Sequence, residues 1–297
     1  MKVCYVLPSL FPCGGNKICI EHLTRLAESG VDCYLSVASQ QSESDIPNWF
    51  DFGTLTRIPF DRAELEKMDV VVATMWDVVL RLDQINLNGP RLFSFIQLPD
   101  AMMEEEGSPT QNAIYSTYTN PKFELITEAR WIKMWLREVS GREAHFIPNR
   151  LETQDTSSFS KTDRKKPIVL LEANAGFEPK NAINGMTAME LLKDECEIHW
   201  LTNTAHELPE HLDKLIDKKH QRVLWKDALE AIWNADVFVK PSLMEGQSST
   251  IMEAMAMGTP VVAYDIPSTY EVAVADHDAL VVPADSIYAL ANAVRQI

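Results

Sequence analysis

The sequence predicts an α/β protein of two successive halves, each a parallel sheet covered by helices on both faces. Short, nearly continuous apolar runs rich in Val, Ile and Leu recur along the chain, the pattern of strands buried on both faces. Stretches of helical period alternate with them. Midway, the polar Ser/Thr-rich segment TQDTSSFSKTDRKK interrupts the alternation, which then restarts.

The first half opens with a strand at Val3–Leu7, a turn at Pro12-Cys13-Gly14-Gly15-Asn16, and a helix whose Ile18, Leu23, Leu26 and Ala27 share a face. Gly30 closes that helix. Further strands are expected at Cys33–Val37, Leu55–Pro59, Val70–Ala73, Leu92–Ile96, Phe123–Thr127 and His145–Ile147, with a helix over Glu128–Val139 and an irregular stretch from Asp100 to about Asn120. In the second half strands are expected at Ile168–Leu171, Glu197–Leu201, Val223–Trp225, Val237–Val239 and Val261–Ala263. Helices are expected at Ala182–Leu192, Leu208–Asp217 and Leu229–Asn234, with another ending near Gly258 and two more βα elements to finish. The boundaries that follow are a first domain over 1–152, a linker over 153–166 and a second domain over 167–297. Two halves of this kind are expected to face each other across a cleft, since ligands of such sheets bind at the carboxyl ends of the strands.

Composition narrows the function. The 297 residues are 46% hydrophobic and 24% charged, as in a folded globular protein. No apolar run approaches the ~20 residues that span a bilayer, and the N-terminus reads as a strand rather than a signal peptide. The net charge of −16 argues against nucleic acid as a partner and leaves at most weak peripheral membrane contact. The expected location is the cytoplasm, with any such contact at the inner membrane face. The five cysteines have no CxxC spacing and are expected to be reduced.

The most informative stretch is Val237–Ala263, VFVKPSLMEGQSSTIMEAMAMGTPVVA. A buried strand delivers Lys240, Pro241 and Ser242, a short loop carries Glu245 and Gly246, and a helix begins near Gln247, Ser248 and Ser249. Gly246 permits close backbone approach, and the helix start offers N–H groups and a dipole suited to a diphosphate. Glu245 and Glu253 can both face the strand-end crevice, where carboxylates accept hydrogen bonds from sugar hydroxyls. Plainer readings stand beside this one: Glu253 fits a capping box with Thr250, Glu245 fits an exposed loop acid, and Lys240 fits a solvated strand end.

The run PS-x-x-EG-x6-EAMA-x-G-x-PVVA resembles the signature of family 4 glycosyltransferases, retaining enzymes of the GT-B fold with a Glu-x7-Glu motif. The resemblance extends over most of the chain, through the opening strand and Gly14-Gly15 loop, Ile147-Pro148-Asn149, Pro267 to Glu271, Ala279–Pro283 and Ala289–Val294. It implies two Rossmann-like domains in a GT-B-like arrangement. It also implies transfer of a hexosyl or deoxyhexosyl group from a nucleotide-sugar donor to a hydroxyl of a glycan or lipid-linked glycan, with retention and without metal or cofactor. Glu245 would then hold sugar hydroxyls, Glu253 the ribose, and Lys180, in Glu178-Pro179-Lys180-Asn181, the diphosphate. Gly14 and Gly15 would reach the same phosphates, and the Gly246–Ser249 segment would complete the donor site. Lys240, read from its strand-end place rather than from the resemblance, would add charge there. The family's arginine five residues before the lysine is Ala175 here, and the aromatic that often follows the signature glycine is Gln247.

In the first domain, Phe95-Ile96-Gln97-Leu98-Pro99-Asp100 lies at a strand end where many family members have a histidine. Gln97 takes that place and joins Glu245 and Lys180 as a candidate catalytic residue. This stretch, with Thr117-Tyr118, is similar to bacterial polysaccharide transferases of the rhamnosyl type. The family generally continues through a helix crossing back to the first domain, so with the sequence stopping at Ile297 the C-terminal end is expected to be short. Asp276-His277-Asp278 spells a DxD metal motif but falls after the nucleotide signature, so no metal site is expected. A non-catalytic nucleotide-sugar-binding or scaffold protein of a polysaccharide assembly pathway remains the alternative, motivated by Ala175, Gln97 and the expected short C-terminal end.

Overall fold

The computed structural model describes residues 1–39, 55–151, 156–159 and 164–297. The chain divides into two compact units, Met1–Asn149 and Arg150–Ile297. Each is a Rossmann-like layer of parallel strands between helices.

In the first unit the elements run β1 (Lys2–Leu7), α1 (Gly14–Glu28), β2 (Asp32–Val37), β3 (Thr56–Arg57), α2 (Arg62–Leu65), β4 (Val70–Ala73), α3 (Trp76–Ile85), β5 (Arg91–Ile96), α4 (Pro109–Thr119), β6 (Phe123–Thr127), α5 (Arg130–Ser140) and β7 (Ala144–Phe146). The sheet order is β3-β2-β1-β4-β5-β6-β7, all parallel. Alternate residues of β1 serve opposite faces. Val3, Tyr5 and Leu7 pack with Ile18, Cys19 and Leu23 of α1, whereas Cys4 and Val6 pack with Val78, Val79 and Leu82 of α3. Cys13 caps α1, its sulfur accepting from the Asn16 N–H, and Gly30 reverses the chain beyond the helix in a left-handed conformation (φ 83°) that favours glycine.

In the second unit they run β8 (Ile168–Glu172), α6 (Ala182–Glu190), β9 (Glu197–Thr202), α7 (Glu210–Asp213), β10 (Lys218–Gln221), α8 (Trp225–Asn234), β11 (Val237–Lys240), α9 (Ser249–Ala256), β12 (Val261–Tyr264), α10 (Pro267–Val272), β13 (Ala279–Val282) and α11 (Ile287–Val294). The parallel order is β10-β9-β8-β11-β12-β13. The chain builds outward from β8 to β10, then returns to place β11 on the other side of β8. That reversal is a topological switch point, where the loops leaving neighbouring strands diverge and open a crevice. Val169 and Leu171 of β8 face Met186, Met189 and Leu290. Ile168 and Leu170 face Leu229, Ile232, Ile251 and Ala254.

Three expectations need correction. The strand placed at Val223–Trp225 is Lys218–Gln221, and Trp225 instead opens α8. The polar KKHQ run lacks apolar period because β10 is a partly exposed edge strand, held by its parallel pairing with β9. The irregular stretch before Asn120 contains α4, started by Ser108, whose hydroxyl accepts from the Gln111 N–H at 3.1 Å, with Pro109 in the first turn. The helix expected over Leu208–Asp217 is the single turn of α7.

Within 153–166, residues 153–155 and 160–163 lie outside the described residues. Phe159 is buried with Leu229 and Phe238, its ring 5.8 Å from that of Trp233, and Arg164 binds Asp236 Oδ1 at 2.6 Å and the Asn234 carbonyl. These residues of the polar stretch are therefore anchored on the second unit.

Candidate active site

β8 and β11, adjacent at the switch point, each end an apolar run with a charge. The register pairs Val239 with Leu171, and one residue further the Lys240 ammonium meets Glu172 Oε2. Both side chains point to the face covered by α8 and α9, where Thr250 Oγ1 of α9 lies 3.1 Å from the same carboxylate oxygen.

Glu245, in the loop after β11, completes a network of four charged residues with Glu172, Lys240 and Lys180. Its Oε1 lies 2.8 Å from Lys240 Nζ and accepts from Ser242 Oγ at 2.8 Å. Lys180 Nζ donates to Oε1 and Oε2 at 2.6 and 2.7 Å. Lys180 ends a short 3-10 turn, Glu178–Lys180, and Asn181 then turns left-handed (φ 53°) before α6. The turn and the Glu245 loop are tied through the backbone, the Leu243 N–H donating to the Pro179 carbonyl at 2.8 Å. Lys180 and Glu245 are thereby brought together by two loops leaving opposite sides of the switch point.

The network is graded from inside to outside. The Lys240 side chain is 4% exposed, Glu172 and Glu245 11%, and Lys180 19%. Burial pushes the Glu245 carboxyl up, but Lys180 and Lys240 outweigh it and hold the group at about 2. Burial likewise pulls the Lys240 ammonium down, and Glu172 and Glu245 overcome this, raising it above the ordinary lysine range. Two carboxylates and two ammoniums thus lie at one strand-end crevice. Lys240 is no solvated strand end, and Glu245 is no exposed loop acid.

Gly246, Gln247 and Ser248 lead into α9, which begins at Ser249 with no side-chain cap. Ser248 is buried, its hydroxyl 3.3 Å from that of Ser268. Because the helix starts before Thr250, Glu253 lies beyond the third helical position that a capping box requires. Its carboxylate, nearly buried, accepts from the Trp225 indole N–H at 2.9 Å.

In the first unit, Gly14 and Gly15 form the start of α1, and Gln97 follows β5. A Cβ on Gly15 would stand 3.1 Å from Gln97 Oε1, and Gln97 Nε2 contacts Cys19 Sγ at 3.4 Å. These three candidates therefore cluster at the carboxyl end of the first sheet. Glu128, after β6, accepts from Asn149 Nδ2 at 2.9 Å.

Glu172 and Trp225 were not among the sequence candidates. Glu172 was legible as an acid closing the apolar run Ile168–Leu171, just as Lys240 closes Val237–Val239. Trp225 carried no motif. Asp276-His277-Asp278 forms a local turn in which Asp278 accepts from the Val274 N–H at 2.9 Å and pairs with His277 at 2.7 Å. Among the described residues, no group of three His, Cys, Asp or Glu could hold a metal ion, and no helix is long and apolar enough to cross a membrane.

Residues 167–297 match the family model of glycosyl transferases group 1. Comparison with curated proteins gives no match. Among solved structures, HepE of Anabaena in complex with UDP-glucose is similar at TM-score 0.77 and 14% identity, over 100% of this chain and 89% of that one. Sucrose-phosphate synthase from Thermosynechococcus elongatus is similar at 0.73 and 18%, over 100% and 89%. WaaG, a glycosyltransferase involved in lipopolysaccharide biosynthesis, is similar at 0.71 and 15%, over 99% and 90%. The second unit thus matches a group 1 glycosyl transferase domain, and the chain has the two-Rossmann fold of GT-B glycosyltransferases.

Proposed function

We propose that this chain is a retaining, metal-independent glycosyltransferase of the family 4 type. It transfers a hexosyl or deoxyhexosyl group from a nucleotide sugar to a hydroxyl of a glycan or lipid-linked glycan. The observation that carries the reading is the Lys180–Glu245 pair at the β8/β11 switch point, with Glu253 buried eight residues beyond Glu245. A cation, a sugar-facing carboxylate and a ribose-facing carboxylate match the three parts of such a donor. Residues 167–297 would hold the donor, and residues 1–152 would recognise the acceptor.

In this reading Lys180 and the start of α9 receive the diphosphate and stabilise charge developing on it as the glycosidic C–O bond breaks. The bonding electron pair leaves with the phosphate. The acceptor hydroxyl attacks the same face of the sugar and gives its proton to a departing phosphate oxygen, which yields retention. Glu245 orients the sugar through its hydroxyls, Glu253 holds the ribose, and Gly14, Gly15 and Gln97 contribute from the first domain. The work belongs in the cytoplasm or at its membrane face, in polysaccharide assembly.

A thermal-shift screen of nucleotide sugars, followed by mass spectrometry of donor and product, tests the reading. Binding of one sugar nucleotide and transfer of its sugar support it; binding of none overturns it. Binding without turnover would select a second reading, a nucleotide-sugar-binding protein, favoured by Ala175 at the expected arginine position and by the engagement of Lys180 with Glu245.

A further inference from the structure

Lys240, expected to help complete the donor site, is instead engaged with Glu172 and Glu245, and a buried ion pair of this kind is weak evidence of stability. Every residue before Glu172 in β8 and before Lys240 in β11 is apolar and buried. Apolar residues at these two positions would continue the core, and replacing a buried ion pair by apolar groups is often neutral or stabilising. What the pair does have is a specific neighbour. Lys240 Nζ reaches past Glu172 to Glu245 Oε1 at 2.8 Å, and Glu172 is itself fixed from above by Thr250 Oγ1.

Glu245 therefore has two cations of different character. Lys180, the more exposed, sits on a short loop turn and grips both carboxylate oxygens. Lys240, the deeper, is fixed at a strand end and held by a second carboxylate. Of the two ammoniums, Lys180 is the one exposed enough for an entering diphosphate to compete for.

We infer that Glu172 and Lys240 are positioning residues for Glu245: Lys240 keeps the Glu245 carboxylate in place and compensated when Lys180 turns to the donor's diphosphate, and Glu172 holds Lys240 there. The inference rests on the donor-site reading above. Ser242, whose hydroxyl also donates to Glu245, remains as the second donor during the exchange. The charged states of Lys240 and Glu245 are each favoured by this arrangement. Glu245 then stays an ionised acceptor for sugar hydroxyls in the occupied site. Without Lys240, the carboxylate would be buried against a phosphate-engaged Lys180 and would take up a proton as the sugar nucleotide binds. The bare nucleotide, which carries the same diphosphate, would then also bind with proton uptake, and the sugar nucleotide would in addition lose an ionised acceptor for its hydroxyls.

The test uses the full chain and the nucleotide sugar retained from the screen with its bare nucleotide, UDP-glucose and UDP being the first pair tried. The double variant Glu172→Leu with Lys240→Met removes both charges without leaving one buried alone. Calorimetry in two buffers of different ionisation enthalpy, at pH 6, reads affinity and proton uptake together. The expected result is proton uptake with both ligands and a loss of affinity that is larger for UDP-glucose than for UDP. UDP-glucose should bind roughly 10-fold weaker or more, as for the loss of a charge-assisted hydrogen bond, with uptake approaching one proton. The single variant Glu172→Gln keeps the volume and gives a second readout if the double variant fails to fold, with a smaller loss in the same direction. Folded variants with wild-type discrimination between UDP-glucose and UDP, and no proton uptake, would overturn the inference while leaving the donor reading intact. A wild type that binds no nucleotide sugar would overturn both.

Discussion

Both oxygens of the Glu245 carboxylate accept from one ammonium, that of Lys180, at 2.6 and 2.7 Å. The residue expected to meet the diphosphate is thus already engaged with the residue expected to meet the sugar. In the proposed donor site, occupation would be an exchange of partners rather than the filling of an uncompensated cation site.

Lys180→Ala should weaken binding of a nucleoside diphosphate while the fold survives, because Glu245 keeps Lys240 and Ser242. Loss of a charged hydrogen bond is worth ~1.5–3 kcal/mol, or about 10- to 150-fold. The lower end is expected, since the wild-type ammonium must leave Glu245 to bind phosphate. Calorimetry with the bare nucleotide checks it, and unchanged affinity removes Lys180 from the donor site.

Glu253→Gln should leave stability close to wild type, because the amide oxygen can still accept from the Trp225 indole. Affinity for both the sugar nucleotide and the bare nucleotide should fall about 10-fold, since ribose hydroxyls lose a charged acceptor. Trp225→Phe removes the competing N–H and keeps an aromatic ring, so nucleotide affinity should hold or rise. A Glu253→Gln protein that melts early but binds normally would give Glu253 a structural role.

Glycine substitutions separate packing from contact. A Cβ on Gly185 of α6 would lie 2.6 Å from Pro241 Cγ and 3.2 Å from Leu171 Cδ1. Gly185→Ala should cost about 1–3 kcal/mol by overpacking and weaken donor binding by shifting Pro241, next to Ser242. At Gly15 the neighbour is the far end of the Gln97 side chain, which can turn away. Gly15→Ala should therefore change stability by less than about 1 kcal/mol while displacing Gln97, and denaturant melts of the two variants distinguish them.

Much of this site was legible because its residues lie in one continuous stretch, Lys240 to Glu253, whose strand, loop and helix follow from local pattern. The Glu172–Lys240 pair was not, although each residue conspicuously closes an apolar run. Their adjacency depends on the sheet order β9-β8-β11, a long-range property that periodicity does not encode. The same limit hid β10: Lys218–Gln221 is polar in sequence and a strand only through its pairing with β9. In α4 the apolar face is weak, and the helix was announced mainly by its Ser108-Pro109 start. Val223 and Leu224 give Trp225 the local pattern of a strand, whereas left-handed Arg222 (φ 55°) marks the break after β10.

Two partly buried groups, one in each unit, should respond to acid in opposite directions. In the second unit, burial, Lys218 and His199 hold the His220 ring down at about 4, against an ordinary 6.5. Between these values the unfolded chain binds the proton first, so this contribution is complete above pH 6.5 and is lost as pH falls toward 4. In the first unit, burial, Asp77 and Glu104 push the Asp100 carboxyl up from 3.8 to about 7. Here the folded chain binds the proton first. That contribution is complete below pH 3.8 and is lost as pH rises through 7. His220→Gln should therefore blunt the acid destabilisation between pH 6.5 and 4. Asp100→Asn should raise Tm at pH 8 with little effect at pH 4, by roughly 2–4 °C for each kcal/mol recovered. Scanning calorimetry at pH 4, 6 and 8 reads both, and where the units melt as separate transitions each variant should move only its own. An Asp100→Asn protein with the wild-type Tm at pH 8 would show that the carboxyl is ionised there without cost.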